Sequence, residues 1–149
     1  MLLRWLLAAA HLLALGIGLG AVWARARALD GAETDRGALA RALTADSWWG
    51  AAAVLWIGSG LWRLFGATEM PTAYYLSSHV FWTKMGLLGL ILLLEIRPMI
   101  ALVRWRVQLG NGRPADLAPA HALARLSYVQ AALVLLMVLA ATAMARGLG

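Results

Sequence analysis

Residues 2–23, LLRWLLAAAHLLALGIGLGAVW, decide the fold. The run matches the roughly 20 residues a helix needs to cross the hydrocarbon core of a bilayer. Its basic start and the A-x-A-like ending at Ala24–Ala26 imitate a secretory signal. The apolar run is longer than a signal's core, however, and it carries a histidine and three spaced glycines. An uncleaved first membrane span is the expectation.

Three more runs of this kind follow, at about 48–65, 79–103 and 126–145. The second opens on Trp48–Trp49 and closes near Trp62, so aromatic rings mark both interfaces. In the third, Pro98 is expected to bend the last turns. The polar connection from Ala24 to Ser47 contains RGALARALTA (36–45), which reads as a short interfacial helix. The stretches 66–78 and 104–125 read as loops, the latter from Gly110, Asn111, Gly112, Pro114 and Pro119. The fold class expected is therefore an all-α membrane protein. Four transmembrane helices form one antiparallel bundle, a single domain over residues 1–149.

Composition narrows the chemistry. The chain has no cysteine, which removes disulfides, thiolate metal sites, iron–sulfur clusters and cysteine nucleophiles together. Phosphate-binding glycine loops, the HExxH pair and the nucleophile elbow are also missing, so the residues assign no reaction. The net charge is +6, and its basic groups are arginines apart from one lysine. They stand at the ends of apolar runs, where topology signals and anionic-lipid contacts belong, and so point to a membrane rather than to nucleic acid. Arg25, Arg27, Arg36, Arg41, Arg104, Arg106, Arg113 and Arg125 fall in the first and third connections, against Arg4, Arg63 and Arg146 on the opposite side. By the positive-inside rule both termini face the periplasm of a bacterial inner membrane.

Polar groups inside apolar helices are the candidate functional residues, because lipid solvates them poorly. His11 shares one helical face with Ala14, Leu15, Gly18, Val22 and Arg25. That face reads either as a small-residue helix seam, with the histidine bonded to a neighbouring helix, or as the wall of a cofactor pocket with His11 as ligand. Lys84 and Glu95 stand about 16 Å apart along the third span, too far to pair, so each needs a partner from another helix. Glu95 lies at the depth of Tyr128 and Gln130. Arg97 points elsewhere and reads as an interfacial anchor. His79 stands at the mouth of the third span and Met85 deeper within it. Either would be the second axial ligand if imidazole on facing helices clamped a haem b iron with His11. Arg63, at the end of the second span, suits Glu69 or an anionic group such as a propionate or lipid phosphate. A copper reading through His11, His79, Met70 and Met85 lacks a tight ligand cluster.

Together the first span, LWIGSGLWRLFGATEMPTAYYL (55–76), FWTKMGLLGLILLLEIRPMIALVRWR (81–106) and LSYVQAALVLLMVLAATAMARG (126–147) resemble an uncharacterised bacterial family of small membrane proteins, domain-of-unknown-function family 2214. The resemblance implies a fold and no established activity. A more distant similarity links the chain to HemJ-type protoporphyrinogen oxidases and CopD-like membrane proteins. The HemJ type carries a histidine in its first span, a GLW-like stretch in its second and a Trp-x-Lys-like start to its third. Here these are His11, Gly60–Leu61–Trp62 and Trp82–Thr83–Lys84. The similarity implies a redox-linked protein that binds haem b or a porphyrin, His11 on the iron, Lys84 and Arg63 on the propionates and Glu95 as a proton relay. The HemJ type also places a histidine just before that lysine, where this chain has Trp82 and Thr83. The alternative is a non-catalytic accessory or assembly subunit, in a homo-oligomer or a larger membrane complex. The other ligand class considered is a quinone-type small molecule.

Overall fold

A computed structural model describes residues 2–35, 37–66 and 72–146. All regular structure in these residues is helical: α1 (Leu2–Asp30), α2 (Ala38–Phe65), α3 (Thr72–Ser77), α4 (His79–Gly110) and α5 (Ala120–Ala145). Arg36, Glu69 and Met70 lie outside the described residues.

The four long helices all overrun the expected spans at the same end, by roughly two to three turns each. Local sequence explains this. The segment ARARALD after Trp23 is rich in good helix formers and meets no breaker until Gly31. Ala38 to Ser47 contains neither glycine nor proline, so the expected interfacial helix is not separate: it is the first third of α2, continuous with the second span. Likewise α4 continues to Gly110 before Asn111 and Gly112 turn the chain, the latter at φ +68°, a value that favours glycine. Pro119 precedes α5, which starts at Ala120 rather than near Leu126. The other loop expectation is also modified, since 72–77 is the short helix α3.

The start of α4 carries a side-chain cap, whereas that of α2, at Gly37, carries none. Ser78, in extended conformation, accepts a hydrogen bond from the Phe81 N–H at 3.4 Å and caps α4. Ahead of α2, Asp35 accepts from the Gly37 N–H at 2.8 Å and pairs with Arg41, and these two contacts hold its carboxyl below the ordinary carboxylate range.

Within the bundle α1 is central, packed on α2 and α5; α5 packs on α4, and α2 and α4 touch only sparsely. The seam between α1 and α2 is the small-residue face of α1. Ala14, Gly18 and Val22 are buried, and a Cβ at Gly18 would lie 3.4 Å from the Trp49 ring and 3.5 Å from Ala52. One apolar cluster, around Val22, Trp49, Trp56, Ile91 and Met137, fills the half nearer the termini. A second, around Leu29, Ala42, Leu102 and Trp105, fills the half formed by the overrunning helix ends. Large apolar side chains such as Leu12, Leu13, Val54, Phe65, Leu93 and Leu139 point outward, the inverse of a water-soluble fold.

Three of the helices, α1, α4 and α5, are long and apolar enough to cross a membrane. At 28 residues α2 has the length. Its four tryptophans, Arg63 and the polar start of the helix keep it out of that class by composition.

Candidate functional site

Two polar constellations occupy the bundle, one in each half. In the half nearer the termini, His11 is held between α1 and α2. The Trp56 indole N–H donates to its Nε2 at 3.0 Å. Its Nδ1 lies 2.9 Å from Ser59 Oγ and 3.1 Å from the Trp56 carbonyl. The Ser59 hydroxyl donates to that same carbonyl at 3.1 Å, so Ser59 Oγ is an acceptor toward the histidine. These partners define the tautomer: an imidazole accepting at Nε2 must carry its proton on Nδ1, and is neutral. Both nitrogens are thereby engaged by α2.

Close approach makes this possible. A Cβ at Gly60 would sit 3.2 Å from His11 Cε1, tighter than ordinary contact. Gly60→Val is therefore expected to push the imidazole off its partners and to cost about 1–3 kcal/mol through overpacking. A lower unfolding temperature of the detergent-solubilised protein than for Gly58→Val checks this, because the space around Gly58 is open.

His11 also forms one wall of a cavity of about 160 Å³, lined by Trp56, Ile57, Gly60, Leu61, Arg63, Leu64, Phe81, Lys84, Met85, Leu88 and Met137. Of the residues singled out from the sequence, the structure gathers His11, Arg63, Lys84 and Met85 here. His79 does not line it; it is the first residue of α4 and exposed. Among the described residues no three histidine, aspartate or glutamate side chains are placed to hold a metal ion.

As arranged, these residues do not fit a haem ligated by His11. The Nε2 lone pair that iron would take accepts the Trp56 N–H. At about 160 Å³ the cavity is smaller than the roughly 300–1,000 Å³ usual for ligand and cofactor sites alike, so it suits a slender molecule, or the end of one, rather than a macrocycle.

The second constellation centres on Arg25, whose side chain is 0% exposed. Counted as a loop arginine from the sequence, it lies instead between the two apolar clusters, inside the bundle. Its Nε donates to Ser127 Oγ at 3.1 Å. Nη1 donates to Asp46 Oδ1 at 2.9 Å and Glu95 Oε1 at 2.7 Å. Nη2 donates to Glu95 Oε2 at 2.8 Å and Gln130 Oε1 at 2.9 Å. An arginine has five N–H donors, and all five are used. The Trp49 ring centroid lies 5.9 Å from the guanidinium carbon.

The acceptors are themselves satisfied. Gln130 Nε2 donates to Glu95 Oε2 at 2.7 Å and to the Ile91 carbonyl at 3.2 Å. Asp46 takes a second partner in Arg106, whose Nη2 lies 2.9 Å from Oδ2. Glu95 thus finds the cross-helix partner its sequence position demands, and α1, α2, α4 and α5 each contribute. The signal for Arg25 was its place four turns along the His11 face. Asp46 and Ser127 gave no signal of their own.

Compared with known proteins, residues 3–149 match the model of a family described as predicted membrane protein (DUF2214). No curated protein and no solved structure matches the chain.

Proposed function

Because the chain belongs to the family of predicted membrane proteins DUF2214, a bilayer is the setting in which we propose that it spans the bacterial inner membrane four times and binds a slender apolar molecule with a polar head. The ligand's place is the pocket between His11, Trp56, Lys84 and Met85. Support for the fourth span is the length of α2 and its outward-facing Val54, Leu55 and Phe65. Arginine count supports termini on the periplasmic side. With Arg25 buried and Arg106 bonded to Asp46, the exposed Arg27, Arg41, Arg104, Arg113 and Arg125 still outnumber Arg4 and Arg146.

The observation that carries the binding proposal is the make-up of the pocket: an apolar lining from all four long helices with His11, Arg63 and Lys84 converging on it. Binding sites for small molecules are built this way, the apolar wall supplying affinity and the few polar groups orientation. A quinone-type molecule meets the description. Haem b is the competing occupant, resting on the likeness of His11, Gly60–Trp62 and Lys84 to the HemJ pattern. It requires Trp56 to release Nε2.

The test uses a neutral polyene probe that accepts energy transfer from tryptophan. We expect saturable transfer, with Kd raised at least tenfold by Leu88→Trp, which fills the pocket. Leu93→Trp, on an outward-facing position that is 63% exposed, is the control. Equal affinity in wild type and Leu88→Trp would sink the proposal.

A further inference from the structure

The seam between α1 and α5 keeps one register along the arginine-rich half of the bundle. Trp23 meets Tyr128 edge to face, with ring centroids 5.2 Å apart. Two residues on, Arg25 Nε donates to Ser127 Oγ at 3.1 Å. At the end of α1, Asp30 Oδ1 lies 2.8 Å from His121 Nδ1. Each step forward on α1 is a step back on α5, as antiparallel helices require, and this sets Arg27 opposite Arg125. Arg27 is one turn from both Trp23 and Asp30, and Arg125 is one turn from both His121 and Tyr128. The two arginines therefore stand on the outer lip of the seam, while Arg25 points inward. Behind them Ala26 and Ala124, both 0% exposed, let the helices approach closely.

Nothing in the two helices balances this pair. Both arginines are exposed, and among the described residues neither has an ion pair or a side-chain hydrogen bond. Helix α5 contains no carboxylate, and the single one in α1, Asp30, is bound to His121. Like charges that face each other across a close seam repel, and an anion between them reverses the sign. The setting selects the anion. Trp23, 52% exposed, and Tyr128 mark the level of the head groups. Beyond them, toward the bilayer, α1 offers open space beside Gly16 and Gly20, and α5 the exposed Leu135. A charged head at the arginines with apolar chains over this surface describes a phospholipid rather than a soluble ion.

We propose that the seam holds the phosphate of one anionic phospholipid between the guanidinium groups of Arg27 and Arg125. Its acyl chains run past Trp23 along Gly16, Gly20 and Leu135. This phosphate site is separate from the His11 pocket and owes nothing to what that pocket binds.

Native mass spectrometry of the detergent-solubilised protein supplies the test. Titration with phosphatidylglycerol, and with phosphatidylcholine of the same chains, gives the affinity for the first bound lipid. Phosphatidylglycerol is expected to bind at least tenfold more tightly. That preference should fall below threefold in Arg27→Gln and in Arg125→Gln, and persist in Arg27→Lys, which keeps the charge. Arg104→Gln and Arg113→Gln remove the same charge from the same end of the molecule and should leave it unchanged. All four positions are exposed, so the variants are expected to fold. Equal affinity for the two lipids overturns the site. So does a preference lost equally in all four glutamine variants, which would show a diffuse attraction to the basic end. A preference unchanged in both Arg27→Gln and Arg125→Gln puts the lipid elsewhere and also overturns it. Inorganic phosphate is the last arm: if it displaces phosphatidylglycerol, the site is one for a free anion and the lipid is overturned, whereas resistance supports the lipid.

Discussion

Replacing Arg25 with methionine is expected to destabilise the protein by about 3–5 kcal/mol, because it strands Glu95 in the bundle without its counter-charge and leaves Asp46 with Arg106 alone. Carboxylates accept hydrogen bonds and cannot solvate themselves, and an uncompensated charge in a low-dielectric interior is far costlier than a lost contact. Thermal unfolding followed by tryptophan fluorescence should show a drop of roughly 10 °C, with loss of the monodisperse peak in gel filtration. The informative comparison is Arg25→Met combined with Glu95→Met and Asp46→Leu. Removing the whole charged set leaves apolar neighbours such as Ile91 and Trp49 to close around the site, and most of the stability should return. Arg106→Gln serves as a contrast. Arg106 is 39% exposed in its side chain, and its pair with Asp46 is expected to contribute under about 1 kcal/mol. An Arg25→Met protein as stable as wild type would show that the cluster has no structural role.

The second prediction concerns pigment. Reduced-minus-oxidised spectra of protein made with ample haem are expected to superimpose for wild type and His11→Ala, since Nε2 of His11 is committed to the Trp56 indole at 3.0 Å. A Soret band lost in His11→Ala would show instead that Trp56 yields its place and that iron takes the lone pair. Stability moves the other way. His11→Ala removes the acceptor of a buried indole N–H and a partner of the buried Ser59. A cost of about 1–3 kcal/mol is expected, whatever the spectrum shows.

Helix periodicity made much of this molecule legible. The small-residue face of α1 is buried as its spacing requires, and Glu95 meets Gln130, the neighbour its depth indicated. Four of the five residues proposed for a cofactor, His11, Arg63, Lys84 and Met85, line one cavity. His79 does not, because it begins α4 and sits near the surface. What escaped the sequence shares one cause. Hydropathy ends a span where charge begins, at Trp23 or before Trp48, whereas a helix ends only where its backbone is broken. Arg25 and Asp46 therefore looked like loop charges although their helices run past them. The seam reading of His11, with its ring bonded to a neighbouring helix, is what the structure shows; that Trp56 and Ser59 of α2 would engage both nitrogens was not readable.

The saturation of Arg25 has a consequence for how this chain can change over time. Five donors meet five acceptors on four side chains, so loss of any one partner leaves a donor or acceptor of the set unmatched. Such a set is expected to change as a block: a chain that abandons Arg25 gains from replacing Glu95 as well, because the step between leaves that carboxylate an orphan charge in the bundle.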